Sequence, residues 1–322
     1  MEEGHELYTT MNFNLNSGYG SALAANLPLT TGKIFLVGDS SSKNLDMIKE
    51  IFVPDPDGKV RFHATIDAAV GSCTGNAADI ILVMPGHAET ISSAGALALD
   101  VAGVTVIGIG TGTDVPSITI DTAATANIAV SAANITVKNI NVIAGFADIA
   151  TAFEVTTAKN FTFDGSFVSE PTADENFLVG IRTSTVDNDS DGLTIKNCEY
   201  ITVDIANTNM ALLRGDLDGL GLKDNYIQMG VNSGEAVIKC ATGKDITGCR
   251  VLRNNVYRLN ISGDLFIDND TTANTGIVAF NNIRHADTAG EILVDADGVG
   301  QFENRSTATN TASGYVLPAI DS

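Results

Sequence analysis

The chain has 322 residues, 44% of them hydrophobic, with only 6% aromatic residues and no tryptophan. Its formal net charge of −21 and pI of about 4.3 exclude a phosphate-neutralising nucleic-acid binder and a partner for anionic membranes. Glycine (31 residues) and abundant Asn, Thr, Asp and Ala favour turns and narrow stacked strands over bulky helical packing.

MEEGHELYTT at the N-terminus is acidic and carries no apolar run, so no secretory signal peptide is expected. No stretch approaches the ~20 apolar residues of a membrane-spanning helix. Asn12–Ser21 is polar and glycine-containing and reads as an extended segment. Lys33–Val37 is a strand closed by Gly38-Asp39, and Ser42–Phe52 places Leu45, Ile48 and Phe52 on one helical face. Pro54-Asp55-Pro56-Asp57-Gly58 is a tight-turn cluster and marks a domain boundary. Residues 1–58 thus form a small α/β segment, distinct in composition from the rest of the chain.

Thr65–Ile91 is the stretch around which the chain is organised. Thr65 can cap a helix over residues 65–73, Asp67 lies in its first turn, and Ile66, Ala69, Val70 and Cys73 fall on one face. Asp79–Met84 is an apolar strand with almost no alternation, which is the pattern of burial on both sides, and Pro85-Gly86 ends it. A helix closing one end of an apolar stack, followed by a first coil, starts a solenoid.

From Val101 onward short strands repeat, and two series keep nearly the same period. One carries apolar-x-apolar and then a polar elbow: Ile135–Asn139, Phe161–Gly165, Leu193–Asn197 and Leu220–Asp224, with elbows 26, 32 and 27 residues apart. Less regular members follow at Ile246–Cys249 and Ile277–Asn281. The second series is Ile128–Val130, Phe153–Val155, Val179–Ile181, Ala211–Leu213 and Ala236–Ile238. Coils of roughly 25 residues with parallel strands about 4.8 Å apart explain both series. The elbows Asn139, Gly165, Asn197 and Asp224 suit the left-handed backbone of a sharp corner. The expected fold is therefore all-β, a right-handed parallel β-helix over residues 59–302 of about eight coils, with a capping helix and a C-terminal cap or tail over 303–322. A β-sandwich would show hairpin signals and no constant period.

Few constellations carry chemistry. Asp187, Asp189 and Asp191 with Gly192 match the first half of a calcium loop, the only metal candidate. The twelfth position is Cys198, with Glu199 one residue late, so the bidentate acid is missing and a solvated acidic loop is the leading reading. Asp268-Asn269-Asp270 and Asp295–Gly298 read as turns. Cys73, Cys198, Cys240 and Cys249 lack metal-type spacing and read as small buried residues. Arg182 and Arg214 lie at near-equivalent positions on adjacent coils and suit salt bridges better than lyase chemistry. His87 and Glu89 sit at a coil corner, where no catalysis is expected. Paired carboxylates in an aromatic-lined groove, the signature of glycoside hydrolysis, are not recognisable. No catalytic or cofactor-binding residue is assigned.

Gly32–Ser41 (GKIFLVGDSS), Asp55–Phe62 (DPDGKVRF), Thr65–Val70 (TIDAAV), Asp79–Ile91 (DIILVMPGHAETI) and Val101–Gly110 (VAGVTVIGIG) together resemble tailed-phage, virion-associated β-helix proteins of the pectin-lyase-like superfold. The resemblance implies a structural virion protein on the exterior of a capsid or tail, made in the host cytoplasm. Capsid decoration or a head fibre is the expected role, as a homotrimer that docks on the major capsid or another virion protein through residues 1–58. The alternatives are a tailspike-like binder or depolymerase of surface polysaccharide and, disfavoured by the missing signal peptide, a cellular adhesin.

Overall fold

The computed structural model describes residues 30–42, 61–203, 209–229, 236–258, 265–269, 273–285, 294–308 and 313–315. Every described strand and helix belongs to one compact unit, Gly32–Ser322. The extended segment Asn12–Ser21, the expected helix after Ser42, the Pro54–Gly58 turn and the last residues of the tail lie outside the described residues.

Among the described residues of this unit, three long parallel sheets run side by side and the chain visits them in rotation. Sheet I has 11 strands, with the register Ile34↔Ile80↔Thr105↔Thr136↔Thr162↔Thr194↔Gly221↔Arg250↔Ile277↔Gly300 along one row. Sheet II has 10 strands, from Ala88–Ile91 to Arg305–Ala308, closed by Ser313–Tyr315, which pairs antiparallel. Sheet III has 8 strands, from Ala94–Leu99 to Val294–Ala296. Eight turns separate Ile80 from Gly300, a rise of about 40 Å at the strand spacing. Parallel strands joined by crossovers of this kind wind with a right hand. The fold is the right-handed parallel β-helix that the period indicated.

Inward rows from all three sheets form one apolar core. Ile80–Val83 is buried along its whole length, as its unbroken apolar run requires. Later strands alternate, as in Ser117–Ile120 and Asn141–Ala144, with one face to the core. Phe153 packs against Phe161 and Phe163 with ring centroids 5.8 and 4.9 Å apart in tilted geometry.

The helix over Ile66–Val70 closes the first coil. Thr65 caps it by accepting from Ala68 N, and Ile66, Ala69 and Val70 are buried. It stops short of the expected Cys73, which packs half-buried against the core. Asp67 leaves the helix end to accept from Ala98 N at 3.0 Å, tying the cap to sheet III. Strand Ile34–Val37, read from the sequence as part of the N-terminal segment, pairs residue for residue with Ile80–Val83 and belongs to the solenoid. Pairing also runs past Phe302, because Arg305–Ala308 continues sheet II.

The elbows Asn139, Gly165, Asn197 and Asp224 all have positive φ, between 53° and 57°. Gly108 faces the first of them, and a Cβ there would lie 1.9 Å from Asn139 O. That close approach lets the Asn139 side-chain amide donate to Gly108 O and Gly110 O at 2.8 and 3.1 Å.

Two register expectations differ. In sheet III, Phe153 pairs with Ile181 and Ala211 with Ile238, two residues on from the expected Val179 and Ala236. A two-residue shift leaves every side chain on the same face, so apolar pattern alone does not fix it. In sheet I the member expected at Ile246 is Cys249–Leu252, whereas Ile246-Thr247 pairs with Leu217-Asp218 in a separate two-stranded ladder.

Candidate functional site

The surface carries its charged groups in columns, one residue per coil. In the corner entering sheet I, Asp187 accepts from Lys244 Nζ at 2.6 Å and from Asp216 N at 2.9 Å. Asp216 in turn accepts from Asp245 N at 3.1 Å. Beside it, Asp191 accepts from Asp218 N (2.9 Å) and pairs with Lys159 (3.0 Å), and Asp218 accepts from the Thr247 hydroxyl. Asp189 accepts from Ser184 Oγ at 3.3 Å within its own loop.

The calcium reading of Asp187, Asp189 and Asp191 therefore meets a different use of the same residues. Two of the three carboxylates point along the rod at backbone N–H groups of the next coil. Among the described residues, no group of three or more His, Cys, Asp or Glu side chains is placed to hold a metal ion. The Lys244 hydrogen bond, with Asp216 N–H second, holds the Asp187 carboxyl below its ordinary value.

On the outer face of sheet III, Glu154 takes Arg182 Nε at 2.6 Å on one oxygen and Arg214 on the other. Arg214 also donates to Thr183 O at 2.7 Å. The register places Arg182 opposite Leu212, with Arg214 two residues further along. The two arginines meet because both reach back to one carboxylate. Lys239 and Asp268 continue this face, 3.5 Å apart. Asp268 lies within strand Leu265–Asn269, not in the turn expected from sequence.

At the first corner His87 is buried between two carboxylates, Nδ1 3.5 Å from Asp39 and Nε2 3.4 Å from Glu89. Glu89 also accepts from Ile66 N at 3.0 Å. Burial raises the Asp39 carboxyl, but hydrogen bonds from Ser41 and the proximity of His87 outweigh it and hold it below the ordinary value. The cluster joins the exit of strand Ile34–Val37, the Pro85-Gly86 corner and the helix N-terminus.

Among the described residues, one extended polar construction is one that sequence reasoning missed. Asn225, Asn254, Asn281 and Asn304 form a buried column in the corner leaving sheet I. The first three side-chain amides each donate to the next carboxamide oxygen at 2.9 Å, across Asn225–Asn254, Asn254–Asn281 and Asn281–Asn304. All four donate to a strand carbonyl of the preceding coil, at 2.8 to 3.1 Å. Each oxygen accepts the backbone N–H of the preceding corner. The signal was present as an Asn directly after the elbow in four successive coils: Asp224-Asn225, Arg253-Asn254, Phe280-Asn281 and Glu303-Asn304.

Cysteines 73, 198, 240 and 249 are free thiols, the last three buried. Burial pushes the Cys198 thiol up to about 12 and the Cys249 thiol to about 11, and raises Cys240 as well. Such thiols stay protonated and inert.

No helix among the described residues is long and apolar enough to cross a membrane. No family model matches the chain, and no curated protein matches it. Among solved structures it is similar to the pectin methylesterase from Aspergillus niger, at 16% identity over 92% of each chain with a TM-score of 0.46. At that level the likeness carries no functional argument, and the fold assignment rests on the strand register itself.

Proposed function

We propose that this chain is a structural solenoid of a particle surface, a virion protein of capsid-decoration or head-fibre type. One observation carries the reading: among the described residues, Glu154, Asp187, Asp191 and the asparagine column, side chains that a catalytic or metal site would draw on, are engaged in bonds between coils. Glu154 is shared by two arginines, Asp187 and Asp191 brace the corner entering sheet I, and four asparagines brace the corner leaving it. Such bracing stiffens a rod. The strong acidity keeps a densely displayed protein soluble, and the resemblance of Gly32–Ile91 to phage β-helix proteins points the same way.

Attachment through the N-terminal segment is part of this proposal. Ile34–Val37 is a solenoid strand, so within residues 1–58 the proposal gives attachment to those before Gly32. Cryo-electron microscopy of the native particle tests the role by locating the chain and counting its copies. Ordered copies at symmetry-related shell positions are expected, and a chain lacking residues 1–31 should fold but no longer bind. Absence from purified particles would overturn the reading.

A second reading, a binder of acidic polysaccharide, is favoured by the outer face of sheet III. Two guanidinium groups there share one carboxylate and leave one net positive charge, next to the Lys239–Asp268 ion pair. Binding of polygalacturonate that is lost in Arg214→Gln would support it.

A further inference from the structure

The outer face of sheet I has an unusual charge balance. Across the chain 39 acids face 18 lysines and arginines. From Thr136 to Arg253, this sheet with its elbows instead carries Lys138, Lys196, Lys223, Arg250 and Arg253 against only Asp164 and Asp224. Lys223 and Arg250 have no ion-pair or side-chain hydrogen-bond partner among the described residues.

Two columns edge this face. Backbone hydrogen bonds from Asn160 to Asp191 and from Gly192 to Asp218 stack Lys159, Asp191 and Asp218 along the entering edge. Strand register stacks Lys138, Asp164, Lys196 and Lys223 along the leaving edge, where Lys138 and Lys196 lie 3.9 and 3.6 Å from the Asp164 carboxylate and leave the column with net positive charge. On the same three consecutive coils the signs run plus, minus, minus on one edge and minus, plus, plus on the other. The inversion at the first of these coils occurs in both columns. Between them lies a row of short side chains, Thr136, Thr162, Thr194 and Gly221, which allows close approach.

We propose that this face is a two-fold contact between two parallel copies of the chain, rather than the three-fold contact of the homotrimer expected from the resemblance. Rotation about an axis parallel to the rod brings the entering edge of one copy over the leaving edge of the other at the same coil. Lys159 then meets Asp164, Asp191 meets Lys196, and Asp218 meets Lys223, each pair formed across the interface in both directions. Antiparallel rods bring like edges together, so no register pairs all three coils: the one that joins Lys159 to Asp191 and Asp164 to Lys196 sets Lys223 against Lys138, and the pattern favours the parallel arrangement. Further along the same sheet, Ile277, Phe280 and Phe302 are 39%, 48% and 54% exposed, and the two phenylalanine rings stack edge to face. They extend the face as an apolar patch suited to burial against a partner. An anionic polymer fits less well, because its charge would run alongside Asp191 and Asp218. The inference does not depend on where the chain is displayed.

Sedimentation equilibrium of the full chain tests it with Lys223→Glu, Asp218→Lys, the double variant and an equimolar mixture of the two single variants. The wild type should self-associate, more weakly at about 0.5 M than at about 0.05 M salt. Each single variant should lose about tenfold in association, since each places repulsive pairs in the contact. The double variant and the mixture should recover it, because Asp218 and Lys223 sit on opposite edges and can meet only between copies. Thr162→Trp, a wedge in the middle of the face, should abolish association while thermal melting shows an intact fold. A wild type that stays monomeric, single variants that associate normally, or a double variant no better than the singles would each overturn the proposal. So would Lys223-dependent capture of heparin by a chain that remains monomeric.

Discussion

One corner of the solenoid is built in two ways along a single column. In the distal coils the position after the elbow is Asn225, Asn254, Asn281 and Asn304, a continuous buried amide ladder. In the proximal coils the same position is Ile140, Ser166 and Cys198. There the Ser166 hydroxyl accepts from Ile140 N at 3.1 Å, and the Cys198 thiol approaches Phe163 O and Lys196 O at 3.4 and 3.1 Å. Both halves satisfy the same backbone donors, since buried N–H groups without partners are costly. The distal half does so with a cooperative chain of amides, the proximal half with separate local contacts beside the larger aromatic core of Phe153, Phe161 and Phe163.

Breaking the ladder should therefore cost more than breaking a local contact. Asn254→Ala removes the acceptor of both Asn225 N–H and the Asn225 side-chain amide, at 3.1 and 2.9 Å, and takes the donor from Leu222 O. Two buried donors without partners correspond to a loss of about 3–5 kcal/mol in urea unfolding. Ser166→Ala leaves one buried donor, Ile140 N–H, without its acceptor and takes the hydroxyl donor from Asp164 O, and should cost about 1–2 kcal/mol. Equal losses in the two variants would mean that the ladder is no more cooperative than its parts.

The comparison sharpens further at Cys198, the last proximal position. Its thiol contact to Phe163 O occupies the place of the Asn225 amide contact to Ile195 O one coil on. Burial raises the thiol from 9.0 to about 12, so the unfolded chain ionises first as pH rises. The stability carried by the neutral thiol is complete below pH 9 and is lost as pH rises towards 12. Cys249, raised to about 11, acts in the same direction. Denaturation midpoints of the wild type should fall across this alkaline window, by a total on the order of a few kcal/mol. Cys198→Asn should extend the ladder by one rung, change stability at neutral pH by about 1 kcal/mol or less, and flatten the alkaline fall. An unchanged alkaline slope in that variant would place the titration elsewhere.

How much of this could be read in advance depends on which force sets each position. The coils and the elbows at Asn139, Gly165, Asn197 and Asp224 were legible because residue type and backbone conformation agree there. The later elbows Arg253, Phe280 and Glu303 share the positive φ, from 46° to 59°, without belonging to the residue types that favour it. Neighbouring coils impose that conformation, so no local signal announces it. The sheet III register escaped because a two-residue shift conserves the apolar pattern. The aspartates of Asp187–Gly192 matched a calcium spacing, while their carboxylates are set by N–H groups about 30 residues away in sequence, which spacing within a loop cannot reveal.

The elbows give the smallest and most local form of the same test. Glu303 is exposed and holds φ at 46°, a region that costs an ordinary L-residue roughly 1 kcal/mol and that asparagine tolerates. Glu303→Asn should then stabilise the chain by about 0.5–1 kcal/mol. Asn197→Ala should do the reverse, at about 1–2 kcal/mol, because it also removes the amide contact to Asp164 at 2.8 Å. Both are read as shifts in urea midpoint at constant slope. A Glu303→Asn chain no more stable than the wild type would mean that this elbow carries no strain to relieve, and that the distal corners are held by the asparagine column alone.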